Sequence, residues 1–167
     1  MHSIDELFTI AVDGDDDERL SAIQRLRKMG GAEVFDRAVR MCGAPEPRRR
    51  AAGAEILGQL PESMSQAVAV LEPMTGDSDP DVAAAAVLAL AQQQESIEPM
   101  IALATHPEGK VRWALVTALE SSVGDERAER VLLSLMRDDD VDVRDRATFA
   151  IGCLSETDSP RVRSALA

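Results

Sequence analysis

The chain is 167 residues long and 45% apolar, yet it holds only three Phe, one Trp and no Tyr, so its interior is built from Ala, Leu, Val, Ile and Met. Ala and Leu lead the helix scale, whereas strands draw on aromatic and β-branched residues, which excludes an all-β sandwich. Thirty acidic against eighteen basic residues leave a formal net charge of -12, a field that repels a phosphate backbone and excludes generic nucleic-acid binding.

At the N-terminus Ile4, Leu7, Phe8 and Ala11 stand at helical spacing and predict an extra helix that covers the end of the core. Asp5 and Glu6 lie there without a preceding basic cluster, unlike a signal peptide, and no apolar run approaches the ~18 residues of a membrane span. Further along, one template recurs. Val82 with Ala86, Ala89 and Leu90 is matched, offset for offset, by Val111 with Leu115, Ala118 and Leu119, and by Val143 with Ala147, Ala150 and Ile151. Two earlier copies, Arg49 with Gly53, Ile56 and Leu57 and Glu18 with Ala22, Arg25 and Leu26, put a charge at the anchor. Offsets of four, seven and eight share one helical face, so each unit opens with an amphipathic helix.

Three residues before the anchors stand Asp15, Glu46, Asp79, Glu108 and Asp140, and two before them Pro47 and Pro80 recur. Acidic side chains accept first-turn amide hydrogen bonds and meet the positive end of the helix dipole, and Pro at the first position loses no hydrogen bond. Glu46 and Glu108 are the weaker caps. Between these helices lie second apolar stretches: Val34, Phe35, Ala38 and Val39; Ala67, Val68, Leu71 and Met74; Ile97, Met100, Ile101 and Ala104; Val131, Leu132, Leu135 and Met136. Turns are expected at Gly30-Gly31, Gly43-Ala44-Pro45, Pro61, Gly76 and Gly124.

The openings Asp79-Pro80-Asp81-Val82, Val111-Arg112 and Val143-Arg144, with the run Ala147 to Gly152, resemble the HEAT repeat family, nearest to the short HEAT-like repeats named after the phycobilin lyases. The resemblance covers nearly the whole chain and is strongest from Asp77 to Ala167. It implies an all-α fold, an α-solenoid of about five helical hairpins with the extra N-terminal helix, as one repeat domain over residues 1–167. In such a stack the second helices line a concave surface. The polar residues expected there are Asp36, Arg37, Arg40, Gln66, Glu98, Arg127 and Arg130.

Chemistry-bearing clusters are few. The acidic turn from Asp13 to Glu18 lacks the glycine and the distal bidentate glutamate of a calcium loop, and capping explains it together with the turns at Asp77 to Asp81 and Asp138 to Asp142. His2 and His106 stand alone, too few for a metal site, and neither Cys42 nor Cys153 has a nearby His to activate it. No catalytic residue, metal or cofactor is therefore expected. Arg48-Arg49-Arg50 is the one basic island, set at a helix start where cations oppose the dipole. Arg48 and Arg50 either grip a carboxylate or phosphate of a partner or are neutralised by neighbouring acidic turns. Arg50, Arg112, Arg144 and Arg163 each follow an anchor, which predicts a ladder of Arg contacts to acidic turns of adjacent units. Trp113 lies about 200° round its helix from the anchor, off the core face, and either anchors a partner or packs at a unit boundary.

The reading that follows is a cytoplasmic, non-catalytic scaffold or adaptor whose partner is another protein, neither nucleic acid nor membrane. Partner contacts are assigned to Arg37, Arg40, Arg48, Arg50, Trp113, Arg127 and Arg130. The alternatives are a chromophore-handling protein related to the phycobilin lyases and, less favoured, a HEAT-like DNA glycosylase. Scarce aromatics weigh against the first and the negative charge against the second. Pro160 to Ala167 reads as a short final helix whose exposed apolar edge, with Leu166, predicts a homodimer through the C-terminal end.

Overall fold

A computed structural model describes residues 2–60, 64–93, 97–120, 122 and 125–154 of the protein. Among these residues every regular element is helical and none is a strand. The chain divides into two compact units, Met1–Gln94 and Glu95–Ala167.

The first unit holds α1 (Ile4–Asp13), α2 (Asp16–Met29), α3 (Gly31–Cys42), α4 (Pro47–Gln59), α5 (Met64–Met74) and α6 (Pro80–Gln93). Two of its helices open with a reciprocal capping box. The Glu6 N–H donates to Ser3 Oγ at 3.2 Å while the Ser3 N–H donates to Glu6 Oε2 at 2.7 Å, and Asp15 and Glu18 repeat the exchange at 2.9 and 3.2 Å. This accounts for Glu18 at an anchor position: it serves the helix start. Asp79 Oδ1 accepts the Asp81 and Val82 N–H groups, whereas Glu46 makes no side-chain cap and α4 relies on Pro47 in its first turn. Gly30 and Gly31 carry φ of 57° and 83°, backbone open to glycine, and so break α2 from α3.

α2, α4 and α6 pack in succession, and α1, α3 and α5 each lie against the anchor helix that follows. The N-terminal helix is thus paired with α2, through buried Leu7, Phe8 and Ala11, as α3 is paired with α4. Every template position from 53 to 57 and from 82 to 90 is buried, with Leu57 and Val82 fully so. At the far end of α4, the buried Gln93 amide donates to the carbonyls of Leu57, Gly58 and Leu60 and satisfies groups that a helix end leaves open.

The second unit holds α7 (Glu98–Ile101), a 3₁₀ turn (Ala102–Thr105), α8 (Gly109–Leu119), α9 (Glu126–Leu135) and α10 (Val141–Leu154). α8 packs on α10, the 3₁₀ turn on α8 and α9 on α10. Val111, Leu115, Leu119, Val143, Ala147 and Ile151 fill this core. Its first segment is shorter than a full second helix because Pro107 drives His106 into the extended region, and the chain tightens before it. The expected turns at Pro61 and Gly124, and the C-terminal helix with Leu166 and Arg163, lie outside the described residues.

Candidate functional site

The Arg ladder is present at two rungs. Arg50 forks onto Asp77, Nε to Oδ2 and Nη2 to Oδ1 both at 2.8 Å, while its Nη1 donates to the carbonyls of Ala44 and Pro45. Arg112 repeats this on Asp138 at 2.7 and 2.6 Å, with Nη1 on the carbonyls of His106 and Pro107. Each carboxylate also accepts the N–H of the residue two further on, Asp79 or Asp140. One guanidinium therefore closes its own turn and holds the next acidic turn in place. Arg144 binds the Asp138 and Asp139 carbonyls in the same way. Arg50, assigned to partner contact from the sequence, thus makes four hydrogen bonds within the chain. Sequence reading missed the related pair Arg19 and Glu55, joined at 3.0 Å, because Glu55 lies on no acidic turn.

These bonds depress both carboxyls below the usual carboxylate value, Asp77 chiefly through the Arg50 hydrogen bonds and Asp138 through those of Arg112. A carboxyl depressed in the folded state stabilises above its unfolded value, near 3.8, and that contribution is lost as pH falls through the lower folded value. Thermal melting of the wild type is expected to drop as pH falls below about 3.8, more steeply than in the variant D77N/D138N. Parallel curves for the two proteins would refute the assignment.

Cations without partners gather elsewhere. A groove of about 460 Å³ runs between α1 and α3 to the start of α4, lined by Phe8, Val12, Arg37, Arg40, Met41 and Arg49 with Asp5 and Asp13 at its edge. Arg37 sits over the Phe8 ring, 4.4 Å from its centroid, and pairs with Asp5 at 2.6 Å. The Arg40 and Arg49 side chains are exposed and have no hydrogen-bond or ion-pair partner among the described residues. Arg49 occupies the slot that buried Val82, Val111 and Val143 hold in later units. Arg48 is exposed beside it and reaches only the Gly14 carbonyl at 3.5 Å.

The remaining assigned residues disperse. Arg127 binds Asp125 at 2.8 Å and also Glu98, and Arg130 lies 3.7 Å from Glu126 on its own helix. The Arg127 hydrogen bonds hold the Asp125 carboxyl down at about 2. Trp113 opens onto a groove between α8 and α10 with Phe149 and Arg146. Phe149, which sequence reading passed over, stands six residues after Val143 and so off the core offsets of its helix. Among groups that would do covalent chemistry, burial pushes the Cys42 thiol up to about 12, and His106 Nδ1 accepts the Glu108 N–H at 3.2 Å within its turn. No cluster of three or more metal-ligating side chains occurs among the described residues, and no helix there is long and apolar enough to cross a membrane.

Compared with known proteins, the family model described as HEAT repeats matches residues 4–91, 74–152 and 97–167. The X-ray structure of YibA from E. coli aligns with a TM-score of 0.79 at 27% identity, over 98% of this chain and 63% of YibA, so the chain spans less than two thirds of that protein. An engineered protein of known crystal structure aligns at a TM-score of 0.54 and 18% identity, over 93% of this chain and 80% of its own, a likeness of fold alone. No curated protein matches. The matches carry the HEAT repeat.

Proposed function

The chain belongs to the HEAT repeat family, and from that premise we propose that it is a non-catalytic protein-interaction module whose first unit receives an acidic segment of a partner protein. One observation supports the choice of partner: in a chain of net charge -12, two partnerless arginines, Arg40 and Arg49, share a groove with the stacked Arg37. Solvated acidic side chains are plentiful in this protein, yet none pairs with these two. Apolar Phe8, Val12 and Met41 give the groove a floor for a neighbouring aliphatic side chain. Planar guanidinium groups bind carboxylates through two parallel hydrogen bonds, so a Glu or Asp of the partner satisfies each arginine. HEAT repeats as a class present helical faces to proteins, and a cytoplasmic location suits two cysteines that form no disulfide framework.

The test uses a fluorescein-labelled peptide alternating Glu and Leu, followed by anisotropy. Wild type is expected to bind it in a salt-sensitive way, and the double charge reversal R40E/R49E to weaken it about tenfold or more. The control R27E/K28E makes the same change in net charge at the end of α2. Equal weakening by the two double variants would reject the groove, and absence of binding by the wild type would reject the acidic partner.

A further inference from the structure

We propose that the α8 and α10 groove of the second unit is a docking site for a cationic segment of a partner protein, a Lys or Arg side chain flanked by an aliphatic residue. It has no residue in common with the arginine groove of the first unit and takes the opposite charge.

The chain owns three Phe and one Trp, and two of these four rings open onto this groove: Trp113 is 37% exposed and Phe149 60%. Phe8, by contrast, is buried. Exposed aromatics that share one groove are the residue type that anchors interfaces, and about 630 Å³ is room for two or three side chains. The rings already accept a cation. Arg146 places its guanidinium 5.6 Å from the centroid of each, held from behind by Glu120 at 2.7 Å.

The rim decides the sign of the occupant. Asp140, Asp142 and Asp145 line the groove, and the Asp142 and Asp145 carboxylates have no partner among the described residues. Asp140 is engaged in capping, since its Oδ1 accepts the Asp142 N–H at 2.9 Å. Two cations line the groove as well, Lys110 and Arg146, the latter paired with Glu120, so three carboxylates against two cations leave the lining net acidic. An acidic segment laid here meets like charge. A wholly apolar one strips water from two carboxylates and returns no hydrogen bond, a net cost. A Lys or Arg with its long stem satisfies both features, the stem on the rings and the head on Asp142 or Asp145.

Trp113 is the only tryptophan in the chain, so its emission reports occupancy directly. Three probes are titrated into the full-length protein: short peptides alternating Lys and Leu, Ser and Leu, and Glu and Leu. Only the Lys peptide is expected to give a saturable spectral shift. The variant D142N/D145N should weaken it about tenfold, while E33Q/D36N, which changes net charge equally on α3, should change it less than about twofold. F149A should also weaken it, with circular dichroism unchanged since the ring is exposed. R40E/R49E should leave it unaltered, so this proposal and the acidic-partner reading fail separately. Equal responses to the Lys and Ser peptides, or equal weakening by D142N/D145N and E33Q/D36N, would overturn it. Concentration-dependent burial of Trp113 without peptide would overturn it too, by making a second copy the occupant.

Discussion

Asp138 replaced by alanine is expected to lower the melting temperature by about 10 °C, measured by calorimetry near neutral pH. The Arg112 and Asp138 side chains are only 13% and 7% exposed, so removing the carboxylate leaves a guanidinium desolvated and unforked. Breaking such a largely buried pair from one side costs about 3–5 kcal/mol, and each kcal/mol moves the transition of a chain this size by about 2–4 °C. The Asp140 N–H loses its acceptor as well, which loosens the turn before α10. The conservative change R112K keeps the charge but not the fork that reaches both carboxylate oxygens and two carbonyls, so it should fall between wild type and D138A. A contrasting pair sets the scale. Arg127 and Glu98 are 45% and 68% exposed, and E98A should move the transition by less than about 2 °C, because water screens an exposed pair and leaves it little net stabilisation. D138A melting within about 2 °C of wild type would remove the ladder from the account of stability.

The helical repeat was legible because its signal is written twice, once as core offsets and once as caps. Positions 86, 89 and 90 follow Val82 as 115, 118 and 119 follow Val111, and all of them are buried. Asp caps where Glu does not, as the shorter side chain predicts: Asp15, Asp79 and Asp140 accept first-turn amides, and Glu46 and Glu108 make no side-chain cap. The ladder was legible for the same reason, since Arg and Asp recur at fixed offsets. The candidate sites were less so. Arg37 and Arg40 stand on α3, but what makes a groove of them is α1, whose Asp5 and Phe8 lie 32 and 29 residues away from Arg37 in sequence. No local pattern encodes that neighbour. The one usable sign was negative: Arg49 breaks the template at its anchor, and a break without a structural purpose of its own marks a place to look. Glu18 breaks it too, yet there the capping box supplies the purpose. Arg48 and Arg50 illustrate the converse. Two residues of one basic island meet different fates, one exposed and one locked on Asp77, because positions two apart on a helix differ by about 200°.

Gly58 replaced by alanine is expected to destabilise the chain, although alanine is the better helix former by about 1 kcal/mol. A Cβ at position 58 would stand 2.7 Å from Ala89 Cα and 2.8 Å from its Cβ, so α4 and α6 touch through a glycine on one side and an alanine on the other. The obstacle is backbone, not the free end of a side chain, and the helices must separate to admit the methyl group. Overpacking of this kind costs about 1–3 kcal/mol, which exceeds the propensity gain at most of its range and reverses the sign. G58V, larger and β-branched, should cost more than G58A and lower the melting temperature further. Gly152 provides the internal control. It lies in α10 with nothing among the described residues within 4 Å of its added Cβ, so G152A should raise stability by up to about 1 kcal/mol. The same substitution, in the same kind of helix, is thereby assigned opposite signs by one distance. Urea unfolding of the two variants decides it: if G58A and G152A both stabilise, the close approach of α4 and α6 is not what requires a glycine at 58.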